Sequence, residues 1–143
     1  MTTEFLKINQ KNIHILEKFI KLNTSENFTY YRKRTKEIIN NHIITVILHK
    51  EEEIIGYGHL DYEEKVWLGI CILQKYTGQG YGRKIMEFLL KEAKNKKIKQ
   101  IYLSFYKNNN IAYELYKKVG FEEFEDIHTE NNVRYMVKNI FFS

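Results

Sequence analysis

The sequence predicts a mixed α/β domain in which helices are layered on one central sheet. Three observations predict it. Residues 43–50, IITVILHK, are β-branched over one strand length, and 65–73, KVWLGICIL, are apolar nearly throughout. Residues 81–95 repeat apolar side chains at helical spacing. The chain has 143 residues, 43% hydrophobic and 15% aromatic, which fits a single domain (1–143) with a sizeable core.

The elements follow in order. EFLKI (4–8) reads as a short strand. Residues 10–22 place Ile13, Leu16, Phe19 and Ile20 on one helical face. Residues 24–42 are aromatic, then basic, then helix-like. Strands are expected over 43–50 and 52–62, with Glu63 and Glu64 in the turn region. The apolar run 65–73 is expected to be a central strand covered on both faces. In the helix over 81–95, Ile85, Phe88, Leu89 and Ala93 share the buried face. Residues 98–106 form another strand. Residues 109–120 form a short helix that Asn109 can cap and Gly120 ends. Residues 121–127 and 133–140 close the chain as a strand pair.

Composition narrows the function. No run of 18 apolar residues is present, so no membrane span is expected. The charged N-terminus does not read as a signal peptide. A single cysteine, Cys71, excludes an internal disulfide and cysteine-rich zinc sites, and fits a reducing cytoplasm. The 5 histidines show no metal-ligand spacing, so no metal is expected. The net charge of +5 suits an anionic ligand. The basic residues are spread along the chain rather than clustered with aromatics, so a nucleic-acid partner is not expected.

The stretch with most chemistry in it is QKYTGQGYGRK (74–84), where Gly78, Gly80 and Gly82 precede the helix. A helix N-terminus carries unpaired N–H groups and partial positive charge, and glycines let the backbone approach an anion closely. Two common nucleotide loops are excluded. A P-loop needs Lys-Ser/Thr after its last glycine, and here Arg83 and Lys84 follow. A dinucleotide loop needs G-x-G-x-x-G and an acid ending the next strand; neither is present.

The loop does resemble the Gln/Arg-x-x-Gly-x-Gly/Ala signature of the GNAT superfamily of acetyl-CoA-dependent N-acetyltransferases. It reads Thr77-Gly78-Gln79-Gly80-Tyr81-Gly82, with Thr77 in place of Gln or Arg. A second family pattern, Asn-x-x-Ala-x-x-Leu-Tyr-x-Lys-x-Gly-Phe, is matched by Asn109, Ala112, Leu115, Tyr116, Lys118, Gly120 and Phe121. The resemblance covers residues 66–121 and implies a mixed, mostly antiparallel sheet flanked by helices.

It also implies direct transfer of an acetyl group from acetyl-CoA to an amine, with no metal. The loop amides would hold the pyrophosphate, with Arg83 and Lys84 beside it and Asn109 as a further CoA contact. An amide of Cys71, Ile72 or Leu73 would stabilise the oxyanion. The flanking strands would splay, with pantetheine lying in the gap as an added strand. Tyr116 matches the family tyrosine that protonates the leaving thiolate. Cys71 itself reads as a buried apolar residue rather than a nucleophile.

The strand 66–73 holds no acid or imidazole, so the general base is sought on the neighbouring strand. There His59 and Asp61 lie two apart, on one face. Phe28, Tyr31 and Arg32, in NFTYYRKR, are expected to border the acceptor pocket. The acceptor is a small-molecule or peptide amine, and the protein a monomer or homodimer. The alternative reading is a GNAT-like module that binds CoA without turnover.

Overall fold

The computed structural model describes residues 2–22, 36–124 and 132–140. The elements are β1 (Glu4–Lys7), α1 (Ile13–Leu22), β2 (His42–Lys50), β3 (Glu53–Glu63), β4 (Lys65–Ile72), α2 (Tyr81–Asn95), β5 (Gln100–Tyr106), α3 (Asn110–Lys118), β6 (Glu122–Phe124) and β7 (Val133–Asn139). Short 3₁₀ turns occupy Lys36–Asn41 and Gln74–Tyr76. Phe28, Tyr31 and Arg32 lie outside the described residues.

The seven described strands form one sheet in the order β1-β2-β3-β4-β5-β7-β6. Neighbours pair antiparallel except β4 and β5, which are parallel because α2 carries the chain across between them. The β3–β4 ladder runs without a slip from Glu63↔Lys65 to Gly56↔Ile72, and Glu64 turns the hairpin at φ 64°. By contrast, β4 and β5 are in register at Trp67↔Tyr102 alone. Past that rung the C-terminal ends of the two strands part.

Core side chains cover both faces of the middle of the sheet. On one face α2 lays Ile85, Met86, Leu89 and Ala93 against Val46, Leu48, Leu60, Leu103 and Met136. Burying each of the larger side chains contributes about 1.5–3 kcal/mol. Phe88 sits at the margin, half-buried, and stacks on Phe5 of β1 with ring centroids 4.1 Å apart. On the other face α1 buries Leu16 and Phe19 against Ile47, Tyr57, Cys71 and Leu73. The Phe19 and Tyr57 rings stack at 5.4 Å. Among the described residues no helix is long and apolar enough to cross a membrane.

One expectation changes here. β4 was expected to be covered on both faces, yet Val66, Trp67, Gly69, Ile70 and Ile72 are only half-buried. β3 has the fully covered central position, buried from Ile54 to Asp61. The cause is the parting of β5, which leaves β4 lining an opening. An apolar run reads the same whether protein or a ligand is to cover it.

Candidate active site

The opening ends at the glycine loop. Leu73 closes β4 and the 3₁₀ turn follows, with Tyr76 N–H donating to Leu73 O at 2.9 Å. The Tyr76 hydroxyl donates to the Glu53 carboxylate and ties the turn to β3. Thr77 donates both its hydroxyl (2.9 Å) and its N–H (3.2 Å) to Gln74 O. The threonine that departs from the family pattern therefore closes the turn rather than reaching outward.

Gly78 and Gly80 have φ of 77° and 85°, the left-handed region that side chains rarely enter. A Cβ at either would meet no protein atom within 4 Å, so their outer surface is open. Gly80 is the N-cap of α2, and no side chain caps it. The first regular helical bond runs from Lys84 N to Gly80 O at 3.2 Å. The amides of Tyr81, Gly82 and Arg83 precede it and form the positive end of the helix dipole. Two cations nearby are engaged elsewhere. Arg83 pairs with Glu87 at 2.9 Å, an exposed pair worth ~0–1 kcal/mol, and the Lys84 ammonium donates to the Thr3 hydroxyl. The loop thus offers an anion its backbone first. Asn109 accepts from Ala112 N at 3.2 Å and caps α3.

The ladder fixes which β4 amides face the opening. Leu73 N–H donates to Ile55 O at 2.9 Å, and the register places Ile72 opposite Gly56. In an antiparallel pair alternate residues turn both backbone groups to the same neighbour. Leu73 and Cys71 therefore direct their amides to β3, whereas Ile70 and Ile72 direct theirs to β5, where the ladder has ended. Of the three residues expected to carry the oxyanion donor, Ile72 alone has that orientation. Leu73 and Cys71 turn theirs into the β3 ladder instead.

Tyr116 is buried on α3, its ring packed against Phe105 and Phe121 at 5.7 and 6.1 Å. Burial raises its phenol above the ordinary tyrosine value, and the nearby Cys71 thiol pushes it further the same way. The phenol therefore stays protonated throughout the neutral range.

His59 and Asp61 are buried, each 4% exposed. They share the α1 face with Tyr57. The Tyr57 hydroxyl and His59 Nδ1 share a hydrogen bond of 2.7 Å, and His59 Nε2 lies 3.8 Å from Asp61 Oδ2. His42 of β2 stacks on His59 with centroids 4.5 Å apart and planes 16° apart, while its Nδ1 bonds Thr45 Oγ1 at 2.7 Å. One donor atom from each of His42, His59 and Asp61 falls within 4.8 Å of the others. Spacing along the chain gave no sign of this grouping, since the histidines come from two strands.

Gly69 explains how the imidazole fits. It sits opposite His59 in the ladder, and a Cβ there would lie 2.4 Å from His59 Cε1 and 2.9 Å from Nε2. Gly69→Ala should therefore displace His59 or cost about 1–3 kcal/mol of stability, as overpacking does. Chemical denaturation checks the cost and the histidine proton resonances check the displacement. An unchanged midpoint with unchanged resonances would refute the packing account.

Comparison with known proteins shows the family of the chain. The family model described as the acetyltransferase (GNAT) family matches residues 11–121. The chain belongs to the GNAT family. It is an acetyltransferase by that membership and by its curated relatives. It is 30% identical over 135 residues to the spermine/spermidine N(1)-acetyltransferase of Bacillus subtilis strain 168, covering 83% of this chain and 88% of that one. The solved structures agree on the fold. A GNAT acetyltransferase from Streptococcus pneumoniae superposes with a TM-score of 0.78 at 20% identity, covering 97% of this chain and 99% of that one. The PaiA N-acetyltransferase of Thermoplasma acidophilum, in complex with coenzyme A, gives 0.75 at 20% identity, with 97% and 99% coverage. The mostly antiparallel mixed sheet implied by the sequence motifs is thus the GNAT fold.

Within this GNAT domain the two motif stretches that sequence reading singled out supply the glycine loop and α3, while the opening lies between β4 and β5, outside both. His42, Tyr57 and Gly69 were not singled out as site residues. Their only signal was polar and glycine residues interrupting apolar strands, which has many causes.

Proposed function

We propose that this GNAT acetyltransferase transfers the acetyl group of acetyl-CoA directly to a primary amine of a small-molecule acceptor. The observation that carries the reading is the single rung joining β4 to β5, beyond which the strands part over an open glycine loop. Backbone that lacks a strand partner is suited to an extended ligand that pairs like one. The relative named for spermine and spermidine supports a polyamine as acceptor.

Each group then has a task. The amides of Gly78 to Arg83, at the head of α2, attract the pyrophosphate. The ligand supplies an activated acetyl thioester. The Ile72 N–H faces the developing oxyanion. Tyr116, held protonated, donates to the departing thiolate. His59, oriented through Tyr57 and beside Asp61, takes the proton that the attacking ammonium must lose.

Incubation of the protein with acetyl-CoA and a panel of monoamines, polyamines, amino sugars and peptide amines, followed by free thiol release, tests the reading. Turnover should be fastest with a small polyamine. Tight CoA binding without thiol release from any amine would return the chain to a CoA-binding module.

A further inference from the structure

The sheet face that carries His59 and Asp61 continues into a group of rings that the reaction above does not use. Trp67 is the ladder partner of Asp61, so their side chains are neighbours on that face. From Trp67 the rings run across three more strands. Tyr102 on β5 lies 5.7 Å from Trp67, Phe124 on β6 lies 5.5 Å from Tyr102, and Tyr135 on β7 lies 6.0 Å from Phe124 and 6.1 Å from Trp67. All four are half-buried. The opposite face of the same strands is different: Ile101, Leu103 and Met136 are fully buried there under the helices. The four rings are thus a floor at the closed end of the β4–β5 opening, bordered by a carboxylate.

A cation already rests on this floor. Lys65 Nζ lies 4.5 Å from the centroid of the Tyr102 ring. Ring faces are negative and hold ammonium groups within about 6 Å. Trp67 and Cys71 are four residues apart on β4, roughly 13 Å at the rise of a strand. A long, extended acceptor with its reacting amine near Cys71 and Ile72 would place a second charge over the rings.

We propose that Trp67, Tyr102, Phe124 and Tyr135, with Asp61 at their edge, form a subsite for the second, non-reacting ammonium of a polycationic acceptor. It rests on the amine-acceptor reading above and adds a reason for choosing acceptors with two separated charges. Lys65 occupies the floor when no acceptor is bound and is displaced by it.

Trp67 is the only tryptophan in the chain, so its emission reports on the subsite without turnover. Titration of the whole protein, without acetyl-CoA, would compare diaminooctane, octylamine and octanediol. Diaminooctane should give a saturable change, octylamine should bind about tenfold more weakly, and octanediol should give no change. Tyr102→Leu should weaken diaminooctane about tenfold. Lys65→Met, an exposed change that spares the core, should tighten it about threefold by removing the resident cation. Equal responses to diaminooctane and octanediol, or unchanged affinity in the variants that fold, would overturn the subsite. So would emission that follows protein concentration rather than amine, which would make a second copy the occupant. Thiol release separates the two readings. Turnover without a Trp67 response removes the subsite alone; a response without turnover with any amine removes the acetyl-transfer reading alone.

Discussion

Gly80→Val should abolish acetyl-CoA binding, lowering affinity at least about hundredfold, some 2.7 kcal/mol. Gly80 stands at φ 85° at the head of α2, where a β-branched residue is strained. A Cβ there meets no protein atom within 4 Å beyond the adjacent residues, so the side chain starts away from the core. The added atoms would instead stand where an anion must approach the first amides of the helix. The local strain would move the loop, and the bulk would shield what remained of the helix dipole. Isothermal calorimetry with acetyl-CoA gives the affinity, and near-ultraviolet dichroism verifies the packed state. Unchanged affinity in a folded variant would sink the assignment of the loop as the pyrophosphate cradle.

Tyr116→Phe should lower the rate of acetyl transfer by roughly 10²–10⁴, the range a positioned acid supplies. Acetyl-CoA affinity should change little, because phenylalanine keeps the packing against Phe105 and Phe121. The sign of the pH dependence follows from burial. The folded phenol is raised above its ordinary value near 10, so it remains a donor as pH rises through that value. Loss of Tyr116's proton should therefore produce no alkaline limb in the rate profile below pH 10. Single-turnover rates for wild type and variant across pH decide the matter. An equal rate in the variant removes Tyr116 as the proton donor.

Much of this fold was legible in the chain because its signals are local. The helix over 81–95 is observed as Tyr81–Asn95, since a glycine N-terminus and a clean apolar stripe mark it within fifteen residues. Asn109 caps α3 as its side chain predicts, and Gly120 follows at φ 101°. The two motifs led to the correct family because each is a short stretch whose residues act together. What was not legible depends on distance in sequence. His42 and His59 meet only after β2 and β3 pair. Nor can apolar residues on β4 say that their neighbour strand diverges. Ile72 could not be told from Cys71 and Leu73 as a donor, because the direction of an amide depends on register. Phe28, Tyr31 and Arg32, expected at the acceptor pocket, fall outside the described residues.

The fit of His59 into the space over Gly69 also restricts the order in which this site could be altered. With His59 in place, any side chain at position 69 collides with an imidazole whose other surfaces are held by Tyr57 and His42. If His59 is first exchanged for a small residue, position 69 becomes permissive. The reverse order passes through a crowded intermediate. The two positions are therefore epistatic for packing, and a library that varies them singly would miss well-packed pairs that a joint library would contain.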